Sequence, residues 1–188
     1  MENEHSTSSP KRDFCLQLLE KHGVKDNILS HSLKVNEVAV FLGNKLVSNQ
    51  ELIDLQLLDR ASLLHDLGKA ETLNTQESHS EKGFQIMSEL GYPKIARAIR
   101  HHRLAFILES KFNGWEDLLV FYADKRVLNN QIVTIEEIFK DLKERYGNQI
   151  ENIEKAYPKV KDLERQLFEH LNFYPEDLKN VMELKIEV

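Results

Sequence analysis

The sequence predicts an all-α protein, a single-domain helical bundle. Apolar residues recur three and four apart along almost the whole of the 188 residues. Only 7 glycines and 4 prolines interrupt them, and no segment shows the apolar–polar alternation of a half-buried strand. With 41% hydrophobic and 30% charged residues, the chain can bury a core without disulfides or a structural metal.

The polar start, residues 1–11, reads as a flexible tail, and residues 12–188 as the folded domain. A short helix holding Phe14, Leu18 and Leu19 should end at Gly23. The next begins near Asn27, carries His31, Val35, Val38 and Leu42 on one face, and stops at Gly43. A third runs from near Asn49 to Leu67, with Ile53, Leu57, Ala61 and Leu64 as its stripe and Gly68 as its cap. Ser78 and Glu81 have the spacing of a capping box, which places His79 in the first turn of a helix ending at Gly91. Pro93 suits the first turn of a helix through His102.

An aromatic-bearing loop, Phe112 to Trp115, precedes a helix holding Leu119, Val120, Asp124, Val127 and Leu128. Thr134 and Glu137 form a second capping box, opening C-terminal helices over 134–188. The first of these stops near Gly147, and the segment from Ile150 to Leu171 kinks or breaks at Pro158.

Charge and cysteine usage exclude several classes. A net charge of −6 disfavours a protein built to cover nucleic-acid backbone, which needs a basic face. Cys15 is the single cysteine, so neither a disulfide partner nor a thiolate metal cluster is available. No apolar run is long enough to span a bilayer and the first residues have no signal-like apolar region, so the expectation is a cytoplasmic monomer or homodimer.

Several helices carry a polar residue where the apolar stripe should continue. His31 precedes Val35 and Val38, His65 follows Leu57, Ala61 and Leu64, and Asp124 lies between Val120 and Val127. His79 leads the Gly83, Ile86 and Leu90 face, and His102 continues Ile95 and Ile99. One histidine on such a stripe is ordinarily a hydrogen-bonded core residue, and a lone buried carboxylate loses several kcal/mol, roughly, unless something positive meets it. Together, imidazole nitrogens and carboxylate oxygens are what a borderline divalent ion prefers.

The ordered set His31, His65-Asp66, Asp124 resembles the H…HD…D signature of the HD-domain metal-dependent phosphohydrolases, an all-helical superfamily. The segments HSLKVNEVA, LLHDLGK and YADKRV carry the resemblance, within residues 28–128. It implies that His31, His65, Asp66 and Asp124 hold one divalent ion. In two-metal members Asp66 would bridge to a second ion held with His79 and with His102 or His101. Periodicity favours His102, since it shares the Ile95 and Ile99 face; in a one-ion arrangement His79 and His102 would contact substrate or support the ligands instead. The ions are one or two of Mn, Fe, Co, Ni, Zn or Mg.

The reaction implied is hydrolysis of a phosphate ester or anhydride in a nucleotide or related small phosphorylated metabolite, with Asp66 and Lys69 as catalytic groups. Lys69, Arg100 and Arg126 are candidates for substrate phosphate, against the alternative of solvated surface charges. Phe106, Phe112 and Trp115 either wall a base-stacking pocket or plug the core. No GYP tripeptide follows the histidine pair and no glutamate follows Asp66 directly, which disfavours the cyclic-dinucleotide and guanosine-tetraphosphate branches. HDLGK with HSEKG and IRHH is more similar to the small bacterial HDIG-like branch that includes dinucleoside polyphosphate hydrolases. The competing reading is a non-hydrolytic HD module that binds metal and nucleotide as a sensor or partner-recruiting unit.

Overall fold

A computed structural model describes residues 9–109 and 112–184. The expected tail therefore lies, up to residue 8, outside the described residues, as do the last four residues of the C-terminal helical segment. The chain forms α1 (Arg12–Lys21), α2 (Asp26–Ser48), α3 (Leu55–Leu64), α4 (Lys69–Thr72), α5 (His79–Glu89), α6 (Pro93–His101), α7 (Phe106–Glu109) and α8 (Trp115–Asp124). A two-stranded hairpin follows, β1 (Val127–Leu128) with β2 (Gln131–Ile132), then α9 (Ile135–Arg145), α10 (Ile150–Glu169) and α11 (Leu178–Glu183). The all-α expectation holds apart from this hairpin. Val127 and Leu128, expected to continue a helix, instead pair antiparallel with Ile132 and Gln131.

The centre is built by α2, α3, α6 and α8, whose apolar stripes meet in one core. Val35, Val38, Ala39, Leu42 and Leu46 bury the inward face of α2 completely. Each fully buried aliphatic side chain of valine or leucine size contributes about 1.5–3 kcal/mol. α2 does not stop at Gly43 as expected. Its glycine serves instead where α3 crosses, because a Cβ there would lie 2.5 Å from Leu58 Cδ2.

Asn49 to Asp54 is not helical. α3 opens later, where the Asp54 carboxylate accepts from the Leu57 amide at 2.9 Å, a cap that contributes about 1 kcal/mol. Pro93 occupies the first turn of α6 as expected. Ser78 stands at the cap position of α5, but no capping box forms: its hydroxyl meets Ser80 Oγ at 2.8 Å and Glu81 turns to Arg100 at 2.8 Å. The Thr134 box does form. Its hydroxyl accepts from the Glu137 amide at 3.2 Å while Glu137 accepts from the Thr134 amide at 2.8 Å.

α10 runs unbroken through Pro158. Glu154 and Pro158 are both exposed, so water can reach the carbonyl that loses its partner. A buried polar knot ties α10 to the end of α8. The Tyr122 hydroxyl donates to Glu164 Oε1 at 2.8 Å, and the Arg126 guanidinium donates to the same oxygen at 3.1 Å and to the Pro175 carbonyl at 2.9 Å. No helix among the described residues is long and apolar enough to cross a membrane.

Candidate metal centre

Helix ends bring the polar residues together. His65 and His102 cap the C-terminal ends of α3 and α6, and Asp124 is the last residue of α8. Lys69 and His79 open α4 and α5, while His31 projects from within α2. Three helix C-termini, each carrying partial negative charge, thus point at one place, which favours a cation there.

The turn from His65 to Gly68 packs tightly against α5. Gly68 has φ −75°, so it is not the left-handed cap that the sequence suggests. Its requirement is space: a Cβ would lie 2.3 Å from the His79 carbonyl oxygen and 2.8 Å from the Gly83 nitrogen.

Three imidazoles are oriented from behind by backbone carbonyls. His31 Nδ1 donates to Asn129 O at 2.9 Å, His65 Nδ1 to Ser62 O at 2.8 Å and His102 Nδ1 to Ile99 O at 2.5 Å. Each ring therefore turns its Nε2 inward, the arrangement second-shell bonds give to metal-binding histidines. Asn129 reaches His31 from the hairpin turn, where it holds φ 56°.

The acceptors fall into two groups joined by Asp66. In the first, Asp124 Oδ1 lies 3.1 Å from His31 Nε2 and 3.5 Å from His65 Nε2. Asp66 Oδ2 completes it, 3.6 Å from His65 Nε2 and 3.9 Å from His31 Nε2. In the second, Asp66 Oδ1 lies 3.4 Å from His79 Nε2 and 3.9 Å from His102 Nε2, and those two nitrogens are 3.0 Å apart. His101 is not among them; its Nδ1 meets the buried Asp117 at 2.8 Å and its ring stacks on Phe106.

The donor set fits a divalent ion. His65 Nε2 is buried with no hydrogen-bond partner, and the carboxylate oxygens facing it at 3.5 and 3.6 Å have no proton to give it. Acceptors facing acceptors need a cation between them. Two ligand atoms held about 2.1 Å from one ion lie about 3.0–3.4 Å apart at right-angled to tetrahedral directions, close to the spacings here.

The local charges agree with this. Burial alone would raise the Asp66 carboxyl, but charge on His65 and on Lys69 holds it far below the usual carboxylate range. Asp124 is likewise raised by burial and, more strongly, lowered by Lys125, His31 and His65. Burial, helped by neighbouring His65 and His79, pushes the His102 imidazole well down, so it stays neutral.

The family model described as HD domain matches residues 28–186. The chain belongs to the HD-domain family. An uncharacterized protein of Methanocaldococcus jannaschii is 25% identical over 154 residues, covering 75% of this chain and 86% of that one. Ribonuclease Y of Clostridium kluyveri is 32% identical over 142 residues, and that of Protochlamydia amoebophila 30% over 137, each covering 70% of this chain. This HD domain spans 25% of either ribonuclease Y chain. No solved structure gave a significant match.

The centre floors a cleft of about 720 Å³. Lys69 lines it, with Nζ 2.8 Å from Asp66 Oδ2. Arg100 and Arg126 do not. Arg100 pairs with Glu81 over the Phe84 ring, and Arg126 is spent in the buried Tyr122–Glu164 knot. The base-stacking alternative for the loop aromatics also fails: Phe106 and Phe112 pack on each other and toward Phe121, and Trp115 donates to Glu51 at 2.9 Å.

The cations that join Lys69 in the HD-domain cleft are Arg103, Lys125 and Arg145. The first two are neighbours of His102 and Asp124 in sequence and stand out there as basic groups near the candidate ligands. Lys125 is buried and pairs with Asp124 while donating to the His102 carbonyl at 3.2 Å. Arg145, Tyr146 and Gln149 reach the cleft through the packing of α9 on α10, for which no linear signal exists.

Proposed function

We propose that this HD domain is a metal-dependent phosphohydrolase, cleaving a phosphate ester or anhydride bond in a nucleotide or related small phosphorylated metabolite. The observation that carries this is the Asp66 carboxylate, whose two oxygens face two separate groups of metal-ligating atoms. His31, His65, Asp66 and Asp124 would hold one divalent ion, and Asp66, His79 and His102 a second. When bound, such ions supply Lewis acidity toward water and toward a phosphate oxygen.

The chain's own residues do the rest. Lys69 is 39% exposed on its side chain and reaches from Asp66 toward open cleft, where its ammonium can hold a non-bridging phosphate oxygen. Asp66, kept ionised by its neighbours, stays an acceptor and ligand rather than a proton donor. In a one-ion arrangement His79, part-exposed at 35%, is instead the imidazole positioned to pass a proton between the buried centre and the cleft. Its proton affinity is lowered, chiefly by burial. Cys15 is buried and free, in keeping with a reducing cytoplasm, where we place the reaction.

The test is metal analysis of the purified chain, followed by phosphate-release assays on a nucleotide panel with Mn, Co, Ni, Zn or Mg. Turnover abolished by His65→Ala and by Asp66→Ala is the expected result. A chain that binds no metal, or whose turnover survives both changes, overturns the proposal; tight nucleotide binding without turnover would point to the non-hydrolytic module.

A further inference from the structure

Apart from the histidines, Tyr146 is the one aromatic ring among the described residues lining the cleft. It follows the last residue of α9, beyond the segment that carries the H…HD…D pattern, and is 43% exposed. Lys69 lines the same cleft.

The wall behind it is graded. Ile138, Leu142 and Arg145 fall on one face of α9, at the four and three spacing of a helix, and Gln149 and Ile153 extend the wall from the next segment. Ile138 and Ile153 are buried at its foot. At the rim the Arg145 guanidinium sits 5.4 Å from the Tyr146 ring centroid. Its ion pair with Asp141 is an exposed one, of the kind that contributes little and is readily exchanged.

A phosphate group alone has no use for such a wall. A flat heteroaromatic ring does: its face can stack on Tyr146 and its polar edge can meet the Gln149 amide or the Arg145 guanidinium. The roughly 720 Å³ of the cleft is room for one such unit as well as a phosphate, within the range of small-molecule sites.

We infer that Tyr146, with Arg145 and Gln149, seats the nucleobase of a nucleotide whose phosphate lies at the His31–Asp124 and Asp66–His79 groups. This rests on the phosphohydrolase reading. A free nucleotide and the terminal nucleotide of a short RNA present the same group, so both belong in the test.

The experiment compares the full-length wild type, Tyr146→Ala and Tyr146→Phe. Each Mn-loaded protein is assayed on nucleoside mono-, di- and triphosphates, on ribose 5-phosphate and pyrophosphate, and on a short oligoribonucleotide. Binding of a non-hydrolysable nucleotide analogue is measured in parallel by calorimetry.

The expected result is a preference in kcat/KM for base-bearing substrates that falls about tenfold in Tyr146→Ala, the size of one base–aromatic stack, and returns in Tyr146→Phe. Preference for the mononucleotides or for the oligoribonucleotide then identifies the source of the base. If wild type turns over substrate but the preference is absent, or is the same in all three proteins, the base seat is wrong and the phosphohydrolase reading stands. If nothing is turned over, that reading fails. Calorimetry then decides the seat: binding weakened about tenfold in Tyr146→Ala and restored in Tyr146→Phe supports it, and binding that is absent or equal in the three proteins overturns it.

Discussion

The carbonyl of Asn129 accepts the Nδ1 proton of His31 at 2.9 Å, and Asn129 can offer it only because it holds φ 56° in the β1–β2 turn. The left-handed region is open to glycine and tolerated by asparagine but strained for a β-branched residue. Asn129→Gly should therefore leave metal affinity nearly unchanged. Asn129→Val should weaken it at least tenfold, the lower end of what loss of an orienting bond costs. Competition with a chelating dye measures both.

The two groups meeting at Asp66 predict separable losses of metal. Wild type should bind two ions per chain under saturation, His79→Ala and His102→Ala one each, and Asp66→Asn should weaken both. Counting ions by elemental analysis after gel filtration tests this, and a wild-type count of one that His79→Ala leaves unchanged would sink the bridging role. Chelation should also lower the melting temperature, since an ion at a hundred times its Kd stabilises the folded state by about 2.7 kcal/mol.

The helices and their apolar faces were legible because helical periodicity is local, and His31, His65, His79 and Asp124 stood out by interrupting it, whereas Asp66 came from the resemblance to the H…HD…D pattern. The preference for His102 over His101 rests on the same periodicity. Arg126 was misjudged because adjacency to Asp124 and Lys125 does not say which way a side chain points past a helix end. The turn at Asn129 and the wall at Tyr146 depend on contacts across the fold, Asn129 with α2 and α9 with α10. Gly68 was marked as special, but for backbone freedom, whereas its neighbours Lys82 and Gly83 show that the constraint is room.

Arg126 should matter for stability and not for substrate. It is 2% exposed and shares Glu164 with Tyr122. Removing Arg126 leaves the buried Glu164 with only the Lys161 ammonium at 2.6 Å and the Tyr122 hydroxyl at 2.8 Å, a lost buried hydrogen-bond partner that costs about 1–3 kcal/mol. Urea unfolding of Arg126→Ala should show that loss, while KM of the folded fraction stays at the wild-type value. A raised KM without loss of stability would return Arg126 to the phosphate-binding role.

Tyr122 in the same knot gives a pH signature. Burial pushes its phenol well above the ordinary value of 10, with Glu164 pushing the same way against Arg126. The folded pKa exceeds the unfolded one, so this contribution is fully present below pH 10 and is lost as pH rises above it. In that range the unfolded tyrosine releases a proton the folded one keeps, and stability falls by up to about 1.4 kcal/mol per pH unit. Tyr122→Phe should be less stable than wild type at pH 9 but decline less between pH 9 and 11. Equal slopes in urea titrations would contradict the assignment.

Gly68→Ala is the sharpest test of how the HD turn is held. The atoms its Cβ would meet, the His79 carbonyl oxygen at 2.3 Å and the Gly83 nitrogen at 2.8 Å, are backbone and cannot rotate away. The turn and α5 must separate, and overpacking of this kind costs about 1–3 kcal/mol. The separation also carries His79 away from Asp66 Oδ1, while His31, His65 and Asp124 are anchored on other helices. Gly68→Ala should therefore melt lower and lose the ion held by His79 and His102 before the other. Loss of stability with both ions bound at wild-type affinity would show that the close approach serves packing alone.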